Sequence, residues 1–132
     1  MTVQILLLMD FKIDTKDTFT IITPLNEAID AKMTGALGAK CEEMRQSGSN
    51  NFIVDLENCK TIDKTCVGEL IALQGASYDM DLSFVYTKAN DEITKTIREE
   101  DEDFIINLAP RMDEAIDIIS MEILERDLFN EE

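Results

Sequence analysis

The spacing of apolar residues changes period several times along the chain, and each change marks an element. Residues 11–14 and 18–24 are short runs rich in β-branched and aromatic side chains. Thr15, Lys16 and Asp17 separate them, which predicts an antiparallel hairpin. From Asp30 the spacing switches to three and four, with Met33, Leu37, Cys41 and Met44 recurring until Ser47 and Gly48, the pattern of an amphipathic helix with a C-terminal stop. Gly35 and Gly38 interrupt it at about 1 kcal/mol each relative to alanine, which points to close packing against the sheet. Residues 51–56 hold Phe52, Ile53, Val54 and Leu56, a nearly continuous apolar run expected of a central strand buried on both faces. A loop over 57–62 leads to Asp63 in the position of an N-cap. Val67, Leu70, Ile71 and Leu73 then form the apolar side of a helix ending near Tyr78.

Residues 81–86 predict another strand, 91–100 a short polar helix with Ile93 and Ile97 on one side, and 104–108 a last strand closed by Pro110. Over 111–129, Met112, Ala115, Ile116, Ile119 and Ile123 make the stripe of a final helix. Ile118, Met121, Leu124 and Leu128 extend it around the cylinder, more apolar surface than one sheet face needs. Core packing, contact with the N-terminal segment and a homodimer through that segment and this helix are the readings left open. The element order is ββαβαβαβα, and helical crossovers require the later strands to run parallel. The expected fold class is therefore α/β: a single-domain mixed β-sheet over 11–129, with helices packed mainly on one face, behind an N-terminal extension of residues 1–10.

With 132 residues, 45% of them hydrophobic, the chain suffices for one core. Its 28 acidic against 12 basic residues give a formal charge of -16, which repels phosphate backbones and anionic membranes, so no nucleic-acid partner is expected. Cys41, Cys59 and Cys66 are odd in number and widely spaced, and the chain has no histidine, so neither a disulfide framework nor a zinc site is expected, and a reducing cytoplasm fits. The apolar run over 3–9, broken only by Gln4, is too short for a membrane span and has no basic flank or cleavage site. No direct membrane insertion is expected of it; it is read as an added edge strand, or Met9 is the natural start.

Catalytic constellations are missing from the sequence. There is no Gly-rich phosphate loop or nucleophile elbow, and Glu42-Glu43 and Glu99-Glu100 lack the apolar shielding that separates the pKa values of an acid/base pair. The acidic run 99–103 lacks the spaced ligands and glycine of a calcium loop and reads as a solvated loop. The expectation is a protein that is not an enzyme and uses no cofactor or metal.

One stretch is more specific. Residues 51–63, NFIVDLENCKTID, combine a buried strand, a short loop and an aspartate. Ile29-Asp30 opens the first helix, Gly68 lies in the second, and Asp113-Glu114-Ala115 starts the last. In this order and spacing, over 11–119, the chain resembles the STAS domains of bacterial anti-sigma-factor antagonists. The resemblance implies a protein-binding regulator in a partner-switching pathway, capturing an anti-sigma factor of the serine-kinase type or another protein partner. In that family the aspartate precedes two hydroxyl residues, the first of which is phosphorylated, and then Gly-Leu-Gly. Here the stretch reads Asp63, Lys64, Thr65, Cys66, Val67, Gly68. The phospho-acceptor position is thus Lys64, the second hydroxyl survives as Thr65, and Cys66 replaces a glycine, whereas Asp63, the aliphatic Val67 and Gly68 match. A helix start suits such a switch because its N–H groups favour an added phosphate; Lys64 puts a positive charge there instead.

These six residues are the candidate partner-binding site. Asp63 has a purely structural reading as a cap, Thr65 is either a second phospho-acceptor or a residue packing its methyl group, and Cys66 reads as a small buried side chain unless solvent reaches its thiol. The alternative that the resemblance allows is an accessory or scaffold subunit of a transport or stress-signalling complex.

Overall fold

The computed structural model describes residues 11–130. The expectations for the extension 1–10 lie outside the described residues. Strands β1 (Phe11–Thr15) and β2 (Thr20–Pro24) form the antiparallel hairpin, in register from Phe11 opposite Pro24 to Thr15 opposite Thr20. Its turn is closed by the Lys16 N–H donating to the Phe19 carbonyl at 2.8 Å. Strands β4 (Phe52–Asp55), β6 (Phe84–Thr87) and β7 (Leu108–Ala109) then add in parallel, giving the order β1-β2-β4-β6-β7 with β4 at the centre.

Alternation along β4 and β6 splits the core. Phe52, Val54, Phe84 and Tyr86 point to one face, where they meet α1 (Ala31–Gln46), α2 (Val67–Tyr78) and α3 (Asp91–Glu100) through Met33, Leu37, Cys41, Val67, Leu70, Ile93 and Ile97. Ile53 and Val85 point to the other, where Ala115 and Ile119 of α4 (Met112–Asn130) cover them. The sheet is mixed, and three of the four described helices share one face. The C-terminal stop of α1 is Gly48, at φ 102°, a backbone conformation that a side chain disfavours.

Several expectations are corrected. Two short strands, β3 (Ala28–Ile29) and β5 (Thr61–Ile62), form a parallel ladder of their own, β5 within the stretch read as a loop. The strand expected from residue 81 begins later, because Asp81, at φ 60°, donates to the Tyr78 carbonyl in the turn that ends α2. The strand expected over 104–108 is confined to β7. Residues 101–106 form a turn instead, in which the buried Asp101 carboxylate accepts from the Ile105 and Ile106 N–H groups at 3.0 and 2.8 Å and Phe104 has φ 52°. Asp101 is thus not part of a solvated acidic loop. The close packing at Gly38 is against α2: a Cβ there would lie 3.1 Å from Leu73 Cδ2, whereas one at Gly35 would meet nothing within 4 Å.

All three cysteines are buried and unpaired. Burial pushes the Cys41 thiol up to about 12 and that of Cys59 to about 11, from an ordinary 9.0. Because the fold holds these protons more tightly than the unfolded chain does, their contribution to stability is complete below pH 9.0 and is lost as pH rises towards 11 to 12. Below pH 9.0, iodoacetamide is expected to label Cys41 and Cys59 slowly in the native protein and rapidly in denaturant, read by intact mass.

Candidate functional site

Three helices begin at the end of the sheet where the parallel strands terminate, and each start is organised by a short polar side chain. Asp30 caps α1, accepting from the Met33 N–H at 2.9 Å, and Asn90 caps α3, accepting from the Ile93 N–H at 2.8 Å. Between them, the β3–β5 ladder delivers the chain to Asp63, whose N–H donates to the Ile29 carbonyl at 2.9 Å. The Asn90 amide reaches back to the Lys60 carbonyl at 3.1 Å, tying the start of α3 to the same loop.

Asp63 organises the candidate turn. Its carboxylate accepts from the Thr65 N–H at 3.0 Å and the Thr65 hydroxyl at 2.8 Å, and the Cys66 N–H closes the turn onto the Asp63 carbonyl at 2.9 Å. The capped element is a single 3₁₀ turn, Lys64–Cys66, from which α2 continues. The Thr65 hydroxyl, with help from its backbone N–H and the Lys64 charge, holds the Asp63 carboxyl below its ordinary value.

The six residues do not share one surface. Asp63, Lys64, Thr65 and Gly68 are exposed, whereas Cys66 and Val67 are each only 1% exposed. Cys66 and Val67 therefore lie beneath the turn, and of the six candidate residues Asp63, Lys64, Thr65 and Gly68 face outward. Desolvation raises the Cys66 pKa, so the thiol is not activated despite its place at a helix start. Nor does Thr65 pack its methyl group inward; it is exposed and its hydroxyl is engaged by Asp63. Beside the turn, the Thr34 hydroxyl donates to Glu69 at 2.6 Å, clamping the first turn of α2 to α1.

Two polar groupings escaped the sequence reading. Asp55 ends the central strand nearly buried, its pKa raised by desolvation, with the Lys88 ammonium at 3.8 Å and Glu57 bound beside it. At the opposite end of the sheet, Glu122 of α4 accepts from the Tyr78 hydroxyl at 2.7 Å and the Ser83 hydroxyl at 2.6 Å, while Arg126 donates to Ser83 at 3.0 Å. This network anchors α4 to the sheet. Polar residues at helical spacing in an acidic helix carry no signal of such a partner 39 to 44 positions away. Among the described residues no group of three His, Cys, Asp or Glu side chains is placed to hold a metal ion, and no helix is long and apolar enough to cross a membrane.

Comparison of the whole architecture with solved structures is decisive for the fold. A candidate anti-sigma factor antagonist of Thermotoga maritima superposes with a TM-score of 0.72 at 15% identity, over 83% of this chain and 94% of that one. The chain has the STAS fold. An anti-sigma factor antagonist of Mycobacterium paratuberculosis matches with a TM-score of 0.66 at 16% identity, over 85% of this chain and 94% of its own. The antagonist SpoIIAA in its unphosphorylated form gives 0.65 at 13% identity, over 84% and 96%. No protein-family model and no curated protein matches the sequence. The STAS fold is thus visible in the layout of strands and helices at an identity where sequence comparison has lost it.

Proposed function

We propose that this chain is a protein-binding regulatory module that acts by docking rather than by catalysis, and that it engages its partner through the turn of Asp63, Lys64 and Thr65 together with the exposed first turn of α2. The observation carrying this reading is that turn itself: exposed, rigidly capped, and at the position where the resemblance to anti-sigma-factor antagonists puts the switch. A partner of the serine-kinase anti-sigma type follows from the same resemblance. Lys64 has no hydroxyl to accept phosphate, so the position modified in that family carries a fixed positive charge here, and the exposed Thr65, its hydroxyl donating to Asp63, is the one hydroxyl of the turn.

Lys64→Glu tests the proposal. It moves the turn two charges negative, as phosphorylation does, and replaces a cation at a helix start by an anion, a change worth about 0.3–1 kcal/mol in favour of the fold. Partner affinity is expected to fall by about 1–3 kcal/mol while the melting temperature holds or rises. The measurement is a calorimetric titration against the protein that co-purifies with the tagged chain from its host. Unchanged affinity at equal fold stability puts docking elsewhere and removes this reading. Recovery of a kinase-like ATPase supports the antagonist role. Because Lys64 lacks the switch hydroxyl, an accessory or scaffold role is the second reading, and recovery of a transporter or a stress-signalling assembly supports that one.

A further inference from the structure

Helix α4 is apolar on two sides. Ala115 and Ile119 are buried against the sheet, yet Met121, Leu124 and Leu128 are 62%, 58% and 55% exposed. At about 100° per residue, these three fall in one stripe on the side away from the buried pair. Their spacing, three residues and then four, is that of a seam along which one helix packs on another. The stripe is fixed in its outward direction, because Glu122, on the sheet-facing side of the same turns, accepts from the Tyr78 and Ser83 hydroxyls. A contiguous apolar strip held out to solvent in this way marks a surface for binding.

Charge decides what can lie on it. Asp117 stands one turn before Met121, Glu125 borders the stripe on one side and Asp127 on the other, and all three are exposed. Arg126, the one basic residue of α4, is directed inward, donating to Ser83 at 3.0 Å and to Asn51 at 3.3 Å. The outer side of α4 therefore carries anions and no cation. A second copy of this chain would set these rims against their own like charges on a molecule of formal charge -16, and an anionic membrane or a nucleic acid is repelled in the same way.

We propose that the outer face of α4 is a docking surface for a basic amphipathic helix of another protein, its apolar side on Met121, Leu124 and Leu128 and its lysines or arginines against Asp117, Glu125 and Asp127. The surface is separate from the Asp63 turn. Helix α4 lies across the sheet from α1–α3, and its Glu122 meets Ser83 at the end of the sheet where the parallel strands begin, whereas the Asp63 turn lies where they terminate. Both surfaces can be occupied at once, so the chain can join two proteins.

The probe is the amphipathic peptide LKKLLKLLKKLLKL, titrated calorimetrically into the full-length chain beside its acidic counterpart LEELLELLEELLEL. The lysine peptide is expected to bind with a Kd in the micromolar range and the glutamate peptide not to bind. Leu124→Gln with Leu128→Gln, which removes most of the stripe at constant charge, is expected to weaken binding about tenfold or more. Glu125→Gln with Asp127→Asn is expected to weaken it about tenfold, whereas Glu99→Gln with Glu100→Gln, an equal loss of charge on α3 across the sheet, is expected to change it less than about twofold. All six positions are exposed, and a melting curve of each variant checks that the fold is kept. Equal weakening by the α3 pair, or full affinity without the stripe, means that the peptide answers to summed charge alone and overturns the proposal, as does the absence of binding to the full-length chain. A dimer in sedimentation velocity that Leu124→Gln with Leu128→Gln dissociates makes a second copy the occupant and overturns it as well.

Discussion

Phe84→Ala is expected to destabilise the fold by about 3–5 kcal/mol, the cost of removing a fully buried aromatic ring from a core that cannot close over the cavity. The ring is 0% exposed and sits at the middle of an aromatic row, 6.1 Å from Phe52 edge-on and 5.2 Å from Tyr86. The Phe52 contact joins β4 to β6, the two strands on which both core layers rest, so its loss affects the three-helix face and weakens the strand pairing behind it. Against a typical total of about 5–15 kcal/mol for a small domain, this is a large fraction. Phe84→Leu, which keeps most of the volume, is expected to cost about 1 kcal/mol. Urea unfolding followed by circular dichroism measures both. Similar midpoints for Phe84→Ala and wild type would mean that the row tolerates a void.

Asp101→Ala is expected to cost about 1–3 kcal/mol by leaving the buried Ile106 N–H and the partly buried Ile105 N–H without their acceptor. Asp101 is 1% exposed, the one buried member of an otherwise solvent-facing acidic run. The turn it holds is shared with Gln74 of α2, which donates to the Ile105 carbonyl at 2.8 Å and accepts from the Asn107 N–H at 2.7 Å. Freeing residues 104–107 therefore loosens β7 from the sheet edge. Hydrogen exchange should show faster exchange at Ile105, Ile106 and β7 than at β4, and denaturation the lower midpoint. Glu102→Ala, one residue away and exposed, is expected to change neither; an effect equal to that of Asp101→Ala would mean that the run acts through its summed charge.

These two positions show how differently the fold and its details are written into the chain. Phe84 could be placed in the core from sequence because Phe84 and Val85 stand in a short β-rich run. Asp101 could not, because nothing separates it from Glu99, Glu100, Glu102 and Asp103 except where its side chain lands. The candidate site divides in the same way. Asp63 as a cap followed from its residue type and its place before an apolar periodic run. That the cap serves a 3₁₀ turn, that Thr65 spends its hydroxyl on Asp63, and that Cys66 and Val67 face inward depend on how tightly the turn curves before α2 begins.

By itself the sequence determined the order of strands and helices, the alternation that sends Phe52 and Val54 one way and Ile53 the other, and the absence of a hydroxyl at position 64. These are set by residue type and by periods of two and 3.6, which act within one element. Only the tertiary structure decided the short β3–β5 ladder, the Glu122 clasp on Tyr78 and Ser83, the inward turn of Asp101 and the exposed outer side of α4. Each of these except the Asp101 turn joins or separates residues tens of positions apart. A polar or apolar side chain has the same local pattern whether its partner is solvent or another element, and its environment exists only once the sheet has brought the helices together.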